Sequence, residues 1–398
     1  MKLLILTQYF PPEVGAPQNR LFELALRLNK NEDMDITVLT AMPNYPAMEI
    51  HEDFVGKKYH FESLEGLKVH RASIFVTKSK GIIKRLRNYF SFVWSSYRMG
   101  VTKLDANYDC VFCESPPLFL GISALFLCKR KKAKLIFNVS DLWPESAEKL
   151  GIVTNKYLLK AATYLEEFLY KKSVLITGQT QGIVEDISKR FPNKKVYWLP
   201  NGVDLSLYDP ESIQSDWRVK QGFDPKDLLV LYAGIIGHAQ GLELLPNAMS
   251  HLKNEPRIKM LLLGSGPEKE VLMALKGKLE LDNVFFLDLV SKKEMPQIIK
   301  AADVAVVPLK KLDLFKGAIP SKIFENLAMK KALLLGVDGE ARELFIERGK
   351  CGLYFEPENE DALVEQLRYL NNNREEITRF GENGRKYVAS NFNRNDLA

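Results

Sequence analysis

Hydrophobic residues are concentrated in short runs that alternate with amphipathic segments of helical length. The runs lie at residues 2–7, 35–40, 67–72, 110–114, 134–139, 174–178 and 195–200 in the first half, and at 228–234, 258–264, 283–288, 304–309, 332–336 and 352–357 in the second. Runs that are apolar on both faces and separated by helices are typical of parallel sheets covered on both sides. The pattern predicts an α/β protein built from doubly wound parallel sheets.

The alternation is interrupted once, near the middle of the chain. After "PNGVD" (200–204) comes the polar stretch "LSLYDPESIQSDWRVKQGFDP", and then a new strand begins. We therefore expect two Rossmann-like domains, residues 1–203 and 204–375, that face each other across a cleft. A last helix at 376–398 is expected to cross back to the first domain. In such sheets ligands bind beyond the carboxyl ends of the strands, so the chemistry is sought in the loops there.

Composition changes this picture little. The 398 residues are 46% hydrophobic and 27% charged, as in ordinary globular proteins. Met1 leads directly into "KLLILT", so we expect no signal peptide, and the apolar stretch at 118–128 is shorter than the ~20 residues that span a bilayer.

Cys110 and Cys113 form a CxxC within a strand, where their side chains point to opposite faces. We expect all the cysteines to be free structural thiols in a reducing cytoplasm, and no metal site.

The loop after the first strand, "TQYFPPEVGAPQNR", contains one glycine, Gly15. A dinucleotide fold would require GxGxxG here, so the loop argues against NAD or FAD. Gly15 precedes a predicted helix and allows close backbone approach, which suits an anion. An ordinary turn glycine explains it equally well.

The loop "NVSDLWPESAEKLG" follows the strand at 134–139 and carries two carboxylates, Asp141 and Glu145, beside Trp143. Carboxylates near an aromatic residue suit a sugar-binding or acid/base site. The alternative is that Ser146 or Asp141 only caps the next helix.

The second half has two glycine-rich loops and one unusual helix start. The glycines are Gly234, Gly237 and Gly241 in "YAGIIGHAQGLE" and Gly264 and Gly266 in "LLGSGPEKE". In "IPSKIFENLA" we expect Ser321 to cap a helix at 321–329, where Lys322 would bind a diphosphate together with free backbone N–H groups and Glu325 would bind ribose hydroxyls. The alternative is a surface Lys322–Glu325 pair, which contributes about 0.2–0.5 kcal/mol.

Together, these features resemble the GT-B glycosyltransferases of family 4, which transfer sugars with retention of configuration. The resemblance rests on the two Rossmann-like halves, Gly15, "PNGVD", "GSGP" and the late helix with Glu325, and it covers nearly the whole chain. The segments "DLWPES", "GHAQGLE" and "PSKIFENLA" are most similar to the bacterial surface-polysaccharide branch, which includes O-antigen, capsule and L-N-acetylfucosamine transferases.

The resemblance implies that the second domain binds a UDP-sugar and that the first binds the acceptor. It implies that Glu325, as the second glutamate of E-x7-E, binds the ribose, and that Gly264 and Gly266 form the loop beneath the nucleotide. The backbone at Val290 would contact the base, and Gly15 would lie beside the diphosphate. Asp141 would lie near the acceptor.

The sequence departs from the family pattern at four positions: Gly317 replaces the first glutamate of E-x7-E, Ile235 and Gln240 replace the usual Arg and Lys, and Ser140 replaces the His of a His-Asp pair. Because two cations that neutralise the diphosphate are missing, Lys322 is the candidate to supply the charge. His238 is a weaker candidate.

The implied reaction needs no cofactor and no active-site metal. Its donor is a UDP-linked N-acetylated amino sugar, such as N-acetyl-L-fucosamine, and its acceptor is an undecaprenyl-pyrophosphate-linked saccharide. In one account of retention the departing phosphate deprotonates the incoming hydroxyl, so the protein mainly positions substrates and stabilises charge. We then expect Lys322 and backbone amides to stabilise the leaving group, and Asp141 or Glu145 to orient the acceptor hydroxyl.

Residues 71–104 contain eight Lys or Arg and no Asp or Glu. Within 81–104, apolar residues recur at helical spacing: Ile83, Leu86, Phe90, Val93, Tyr97 and Val101. A basic, aromatic amphipathic helix suits an anionic membrane, so we expect a peripheral protein on the cytoplasmic face of the cell membrane. A core helix with a solvated basic rim is the alternative, and no motif supports nucleic acid as a partner.

Two other functions stay open at this stage. A UDP-N-acetyl-sugar 2-epimerase shares the architecture and the UDP site but requires no acceptor. A non-catalytic GT-B partner subunit would explain Gly317, Ile235 and Gln240 as lost functional residues.

Overall fold

The computed structural model describes residues 1–13, 15–45, 47–78, 81–149, 151 and 153–398. These residues form two compact units, Met1–Asn201 with Ala398 and Gly202–Leu397. Each unit is organised around its own parallel sheet.

The first unit has an eight-stranded sheet in the order β3-β4-β2-β1-β5-β6-β7-β8. Its strands are β1 (Lys2–Leu6), β2 (Asp35–Ala41), β3 (Tyr59–Leu64), β4 (Leu67–Ala72), β5 (Cys110–Ser115), β6 (Lys134–Val139), β7 (Leu175–Gly178) and β8 (Val196–Trp198). Its helices are α1 (Ala16–Asn29), α2 (Ile82–Lys103), α3 (Leu120–Lys131), α4 (Glu145–Lys149), α5 (Lys156–Lys172) and α6 (Gln181–Arg190), with a 3₁₀ turn at Glu52–Phe54.

The second unit has a six-stranded sheet in the order β11-β10-β9-β12-β13-β14. Its strands are β9 (Leu228–Ala233), β10 (Ile258–Leu263), β11 (Val284–Leu287), β12 (Val304–Pro308), β13 (Ala332–Gly336) and β14 (Gly352–Tyr354). Its helices are α7 (Trp217–Lys220), α8 (Leu244–Ser250), α9 (Lys269–Lys278), α10 (Met295–Ala301), α11 (Lys322–Ala328), α12 (Glu340–Arg342), α13 (Glu360–Asn372), α14 (Arg374–Asn391) and α15 (Arg394–Leu397), with 3₁₀ turns at His238–Gln240 and Asp313–Gly317 and a π-helical turn at Glu343–Arg348.

The predicted α/β class is confirmed, and every predicted run forms a strand. The sequence pattern missed one strand, β3, which pairs antiparallel with β4 at the sheet edge. No residue of β3 is buried, so it lacks the apolar run that marks the other strands. The two-residue connection Glu65–Gly66, with φ of 48° and 86°, is the hairpin signal that would have revealed it.

Both faces of the first sheet are buried, as the uninterrupted apolar runs predict. Leu3 and Ile5 pack with Leu21 of α1 on one face. Leu4 and Leu6 pack on the other face with residues of α2 and α3, including Phe92 and Ala124. Because alternate residues of a strand point to opposite faces, a strand between two helical layers must be apolar throughout.

The CxxC prediction is also confirmed in its geometry. Cys110 packs on the face covered by α1, whereas Cys113 is buried on the face covered by α2 and α3. All four cysteines are free thiols, and burial raises the pKa of Cys113.

Each sheet reverses its strand order at one point, between β1 and β5 in the first unit and between β9 and β12 in the second. At such a reversal the loops diverge and leave a crevice at the carboxyl ends of the strands. The loops after β1, β5, β6, β9, β10 and β12 are therefore the candidates for function.

The long helix α14 packs against α11 and β13 within the second unit. The crossing of residues 376–398 to the first domain stays a prediction, as do the domain roles.

Candidate functional site

In the second unit, the loops after β9 and β10 pair through their backbones. Gly234 N donates to Leu263 O and Ile236 N donates to Ser265 O, both at 2.9 Å. A Cβ at Gly264 would lie 1.9 Å from Gly234 O, and the φ of Gly264 is 144°. Glycine at this position is therefore required for the two loops to lie together.

Gly266 is constrained in the same way, because a Cβ there would lie 2.2 Å from Ile236 O. The two glycine-rich loops lie together as the sequence suggested, but the expectation of free N–H groups is wrong at three positions. Because the loops extend the pairing of the sheet, three backbone N–H groups donate to carbonyls of neighbouring segments: those of Gly234, Ile236 and Gly264.

Lys322 lies beneath the β9 loop. Its Nζ is 3.8 Å from the centroid of the Tyr232 ring, and a Cβ at Gly234 would lie 2.9 Å from the same atom. Burial lowers the pKa of Lys322 to about 7, against a smaller opposing effect of Glu325. Because Glu325 acts on Lys322 electrostatically, the alternative of a Lys322–Glu325 pair stays open.

The predicted cap at Ser321 is also wrong. Ser321 already has helical dihedrals (φ −59°, ψ −29°) and its hydroxyl caps no N–H group, since the turn begins at Pro320. α11 has only seven residues, so its dipole adds little to an anion site. The positive charge at this end of α11 therefore comes from Lys322 more than from the helix terminus. Glu325 lies on the same face, one turn further along.

A second basic pair lies after β9 and β12. His238 Nε2 is 2.9 Å from Lys310 Nζ, and both residues line a pocket of about 240 Å³ with Gly237 and Gly241. The sequence analysis named His238 but missed Lys310. Its position two residues after β12, next to the reversal of the sheet, was the available signal.

Val290 follows β11 by three residues and is partly buried, so it lies at the same edge of the sheet as Gly264. Gly264 N donates to Leu287 O, which joins the β10 loop to the end of β11. The structure therefore brings the predicted nucleotide residues of the second unit to one edge. Along the described residues, no group of three or more His, Cys, Asp or Glu side chains is arranged to hold a metal ion.

In the first unit, Asp141 is held by the first turn of α4. Ser146 Oγ donates to Asp141 Oδ2 at 2.7 Å, a contact between two side chains that leaves the capping alternative open. Burial raises the pKa of Asp141. Glu145 instead pairs with Lys149 at 2.5 Å, and Trp143 packs against Phe119.

Gly15 lies directly before α1, as predicted. A Cβ there would lie 2.3 Å from Oε1 of Gln18, so the glycine accommodates the side chain of Gln18. The space that the missing Cβ leaves at Gly15 is therefore filled by the side chain of Gln18.

A buried polar cluster at the ends of β5 and β6 was not foreseen. Arg20 Nη2 lies 2.7 and 2.8 Å from the two carboxylate oxygens of Glu114 and 2.8 Å from Ser140 Oγ. Asn138 Nδ2 donates to Glu114 at 2.6 Å, and Thr177 Oγ1 donates to Asn138 Oδ1 at 2.7 Å. Ser140, which stands where the family has His, is therefore part of a hydrogen-bonded cluster that includes an ion pair.

Helix α2 packs on the first unit partly through small and polar residues that the apolar periodicity did not indicate. Its buried residues include Phe92, Ser95, Ser96 and Gly100, and Ser96 Oγ is 2.8 Å from Ser123 Oγ of α3. Small residues occupy the contact between α2 and α3, because the two helices approach closely. A Cβ at Gly100 would lie 2.5 Å from Leu127 of α3.

The predicted apolar stripe of α2 is divided between the surface and the core. Ile83 is 79% exposed and Phe90 45%, beside the exposed Trp94 of α2 and Phe126 of α3, whereas Tyr97 and Val101 pack against the core. The membrane-facing stripe and the core helix with a basic rim therefore both stay open. For the helices that the structure describes, none has both the length and the apolar character needed to cross a bilayer.

Comparison with known proteins adds to this geometry. Residues 213–387 match the family described as glycosyl transferases group 1. The chain is 25% identical over 380 residues to a protein described as a colanic acid biosynthesis glycosyl transferase, WcaI, of Escherichia coli K12, covering 92% of this chain and 91% of that one.

A second relative is the N-acetylgalactosamine-N,N'-diacetylbacillosaminyl-diphospho-undecaprenol 4-alpha-N-acetylgalactosaminyltransferase of Campylobacter jejuni. It is 23% identical over 325 residues, which cover 81% of this chain and 82% of the relative.

Two solved structures share the fold across the whole chain. Sucrose-phosphate synthase from Thermosynechococcus elongatus has a TM-score of 0.77 at 16% identity and is covered to 96%. HepE from Anabaena in complex with UDP-glucose has a TM-score of 0.70 at 16% identity and is covered to 97%. The two parallel sheets and these structures show the GT-B fold, and residues 213–387 of the second unit are similar to the group 1 glycosyl transferases.

Proposed function

We propose that this protein is a glycosyltransferase that moves a sugar from a UDP-sugar to a lipid-linked saccharide in the synthesis of a bacterial surface polysaccharide, with retention of configuration and without a metal. The observation that carries the proposal is the position of Lys322, whose Nζ lies 3.8 Å from the centroid of the Tyr232 ring and beneath Gly234 of the β9 loop. Desolvation lowers the pKa of this lysine to about 7, so its ammonium gains more from a diphosphate than a fully solvated surface lysine does.

The donor site would be formed by the second unit. The paired loops at Gly234 and Gly264 form the edge on which the nucleotide would lie, with the backbone at Val290 meeting the base. Lys322 would neutralise the charge that develops on the diphosphate as the sugar leaves. Glu325 would accept hydrogen bonds from the ribose hydroxyls.

His238 and Lys310 would supply a second positive group. The usual Arg and Lys are replaced by Ile235 and Gln240, so the diphosphate would otherwise meet one cation. Lys310 lies within 3.1 Å of both His238 ring nitrogens, which places a cation beside the β9 loop from a different strand.

The acceptor would meet the first unit at Asp141. Its carboxyl, held by Ser146, would orient the attacking hydroxyl while the departing phosphate takes the proton. Glu145 is the weaker candidate, because its carboxylate already pairs with Lys149.

The substrates are inferred from chemistry and from relatives. The name of the Campylobacter relative specifies N-acetylgalactosamine transfer to a saccharide on diphospho-undecaprenol. HepE was solved with UDP-glucose, a donor of the same class. We extend these to an N-acetylated amino sugar, such as N-acetyl-L-fucosamine, and an undecaprenyl-pyrophosphate-linked acceptor.

A lipid-linked acceptor would place the enzyme on the cytoplasmic face of the membrane. The exposed Ile83, Phe90 and Trp94 could enter the headgroup region, and the basic residues of α2 would attract anionic lipid. The exposed part of this stripe supports peripheral attachment.

The test is a panel of UDP-sugars measured for thermal stabilisation, followed by mass analysis of products formed on a polyprenyl-diphosphate-linked N-acetylhexosamine. Transfer of one sugar to the lipid-linked acceptor is the expected result. Epimerised UDP-sugar without acceptor would favour the 2-epimerase instead. Absence of binding by every UDP-sugar would favour a non-catalytic partner subunit.

A further inference from the structure

A row of aromatic rings in the first unit joins the surface of α2 to the loop that carries Asp141. The ring centroid of Phe119, the residue directly before α3, lies 5.0 Å from that of Phe90 and 5.6 Å from that of Trp143. Trp143 is two residues from Asp141, and its backbone N–H donates to Asp141 O at 2.9 Å. We call Phe90, Phe119 and Trp143 the aromatic row.

The three rings of the aromatic row remain partly exposed. Phe90 is 45% exposed, and Phe119 and Trp143 are half-buried. Phe119 and Trp143 each follow the end of their strand by four residues, and those strands, β5 and β6, are neighbours in the sheet. The row therefore begins at the carboxyl edge of the first sheet, where ligands of parallel sheets bind, and runs outward to α2.

A pyranose ring suits such a row. Its faces carry C–H groups that pack on aromatic rings, while its hydroxyls require hydrogen-bonding partners. The carboxyl of Asp141 can accept from such a hydroxyl at the inner end of the row. The centroid spacings of 5.0 and 5.6 Å are close to the length of one sugar unit, so successive rings can contact successive sugars.

The outer end of the aromatic row is positively charged. Tyr89, the neighbour of Phe90 on α2, lies 6.0 Å from Phe119 by ring centroids. Burial raises the pKa of Tyr89, and the charge of Arg85, one turn earlier, opposes this effect, so the exposed guanidinium lies near the phenol. Residues 71–104 contain no acidic side chain that would compete with an anion for this group.

We propose that the aromatic row binds the saccharide of a lipid-diphosphate acceptor, with the receiving sugar over Trp143 and the diphosphate at Arg85. This inference rests on the proposed function, because it takes the acceptor hydroxyl to meet Asp141. The row thereby fixes the direction of the acceptor: its reactive end lies at the loop after β6 and its lipid end at α2. Phe90 and Phe119 become specificity-determining residues for the acceptor.

Two soluble probes separate ring contact from charge. One is N-acetylglucosamine linked to farnesyl diphosphate, and the other is the methyl glycoside of N-acetylglucosamine, which lacks the diphosphate. Saturation-transfer NMR with irradiation of the protein's aromatic protons measures the binding of each probe and reports which sugar C–H groups contact aromatic side chains. We expect the natural protein to bind both probes and the diphosphate probe more tightly.

Variants of the row and of its charged end should differ in their effects. Trp143→Leu and Phe119→Leu each remove a ring, so the affinity for both probes should fall about 5–30-fold. Trp143→Phe and Phe119→Tyr keep a ring and should retain most of the affinity. Arg85→Gln should weaken binding of the diphosphate probe about tenfold and leave that of the methyl glycoside unchanged.

The matched control is Tyr164→Leu. Tyr164 is an exposed aromatic residue of α5 in the same unit, stacked on Phe168 and outside the aromatic row, so its loss should leave the affinity for both probes unchanged. Every variant should also keep its affinity for the UDP-sugar that binds the natural protein most tightly, which calorimetry measures. If one ring variant failed to fold, the other ring variant would decide.

Unchanged affinity for both probes in Trp143→Leu and Phe119→Leu would overturn this inference, as would failure of the natural protein to bind either probe. An equal effect of Arg85→Gln on both probes would overturn the assigned direction. These outcomes leave the proposed function standing as long as a UDP-sugar binds. Absence of binding by every UDP-sugar counts against the proposed function itself.

Discussion

The two units differ in how they treat buried charge. In the first unit, Arg20 and Glu114 are 6% and 3% exposed, and each neutralises the other at 2.7 Å. In the second, the Lys322 ammonium lies 3.8 Å from the centroid of the Tyr232 ring, and desolvation outweighs the opposing effect of Glu325 on its pKa. A satisfied pair stabilises one conformation, whereas a cation that desolvation disfavours gains free energy when an anion binds beside it. We therefore expect a rigid cluster in the first unit and affinity for an anionic ligand in the second.

The largest effect is expected from breaking the satisfied pair. Glu114→Gln leaves the Arg20 guanidinium buried without a counter-charge, so the free energy of unfolding should fall by about 3–5 kcal/mol. Urea denaturation measures it. Asp216→Asn, which breaks a pair with Lys220 that is 69% exposed on both sides, should leave the midpoint unchanged. Equal, small effects in both variants would contradict the comparison.

The next effect concerns the loops that cover Lys322. Gly264→Ala places a Cβ 1.9 Å from Gly234 O at a φ of 144°, so the β9 and β10 loops must separate. We expect a loss of about 2 kcal/mol or more in stability, together with loss of UDP-sugar binding. Gly277→Ala in α9 meets no atom within 4 Å and should be neutral or stabilising. Unchanged donor binding in Gly264→Ala would separate these loops from the site.

Lys322→Met removes the cation beside the Tyr232 ring. Donor affinity should fall about 10–100-fold, as for loss of a charge-assisted hydrogen bond of ~1.5–3 kcal/mol, and calorimetry measures it. The free energy of unfolding, in contrast, should rise in this variant. Since the pKa of Lys322 is lowered to about 7 on folding, the unfolded state binds more protons between about pH 7 and pH 10.

The sign of the pH dependence follows from this difference. The stability of the natural protein should rise with pH across that window, and the lysine should destabilise the fold most below pH 7. Lys322→Met should abolish the corresponding slope, which thermal melts between about pH 6 and pH 10 would reveal. An identical slope in the variant would show that the free lysine is not neutral.

The smallest effect is expected at the surface of α2. Each basic residue near an anionic bilayer contributes about 1 kcal/mol, so Lys84→Glu/Arg85→Glu should reduce flotation with phosphatidylglycerol vesicles. Arg87 is left intact because it packs on the Phe75 ring at 4.1 Å. The control is a double variant of the second unit that makes the same charge change at exposed positions, Lys253→Glu/Lys278→Glu. Equal flotation by both variants would argue against membrane docking through α2.

The sequence analysis predicted strands well and surfaces poorly. Apolar runs located the parallel strands because both faces of each are buried, but β3, with no buried residue, left no such run. On α2 the apolar stripe was expected to face a membrane, whereas Tyr97 and Val101 of that stripe pack against the core. Ser96 and Gly100, which lie outside the stripe, contact α3. Close helix approach selects small residues, which hydrophobic periodicity does not detect.

The candidate site was predicted in part. Gly264, Gly266 and Lys322 were named correctly as neighbours of one sheet edge, because loops at the carboxyl ends of parallel strands converge there. Tyr232 and Lys310 were missed, since each is an ordinary residue of its strand or loop until a distant segment packs against it.

The sequence by itself determined the two parallel sheets and the edge of each at which function was to be sought. This is because burial on both faces imposes a local, readable pattern on every strand. The tertiary structure alone decided which groups the charges meet: Arg20 and Glu114 are separated by 94 residues, and Lys322 of α11 contacts the ring of Tyr232 on β9. Electrostatic interaction depends on distance in space, and strand order, not sequence order, fixes that distance.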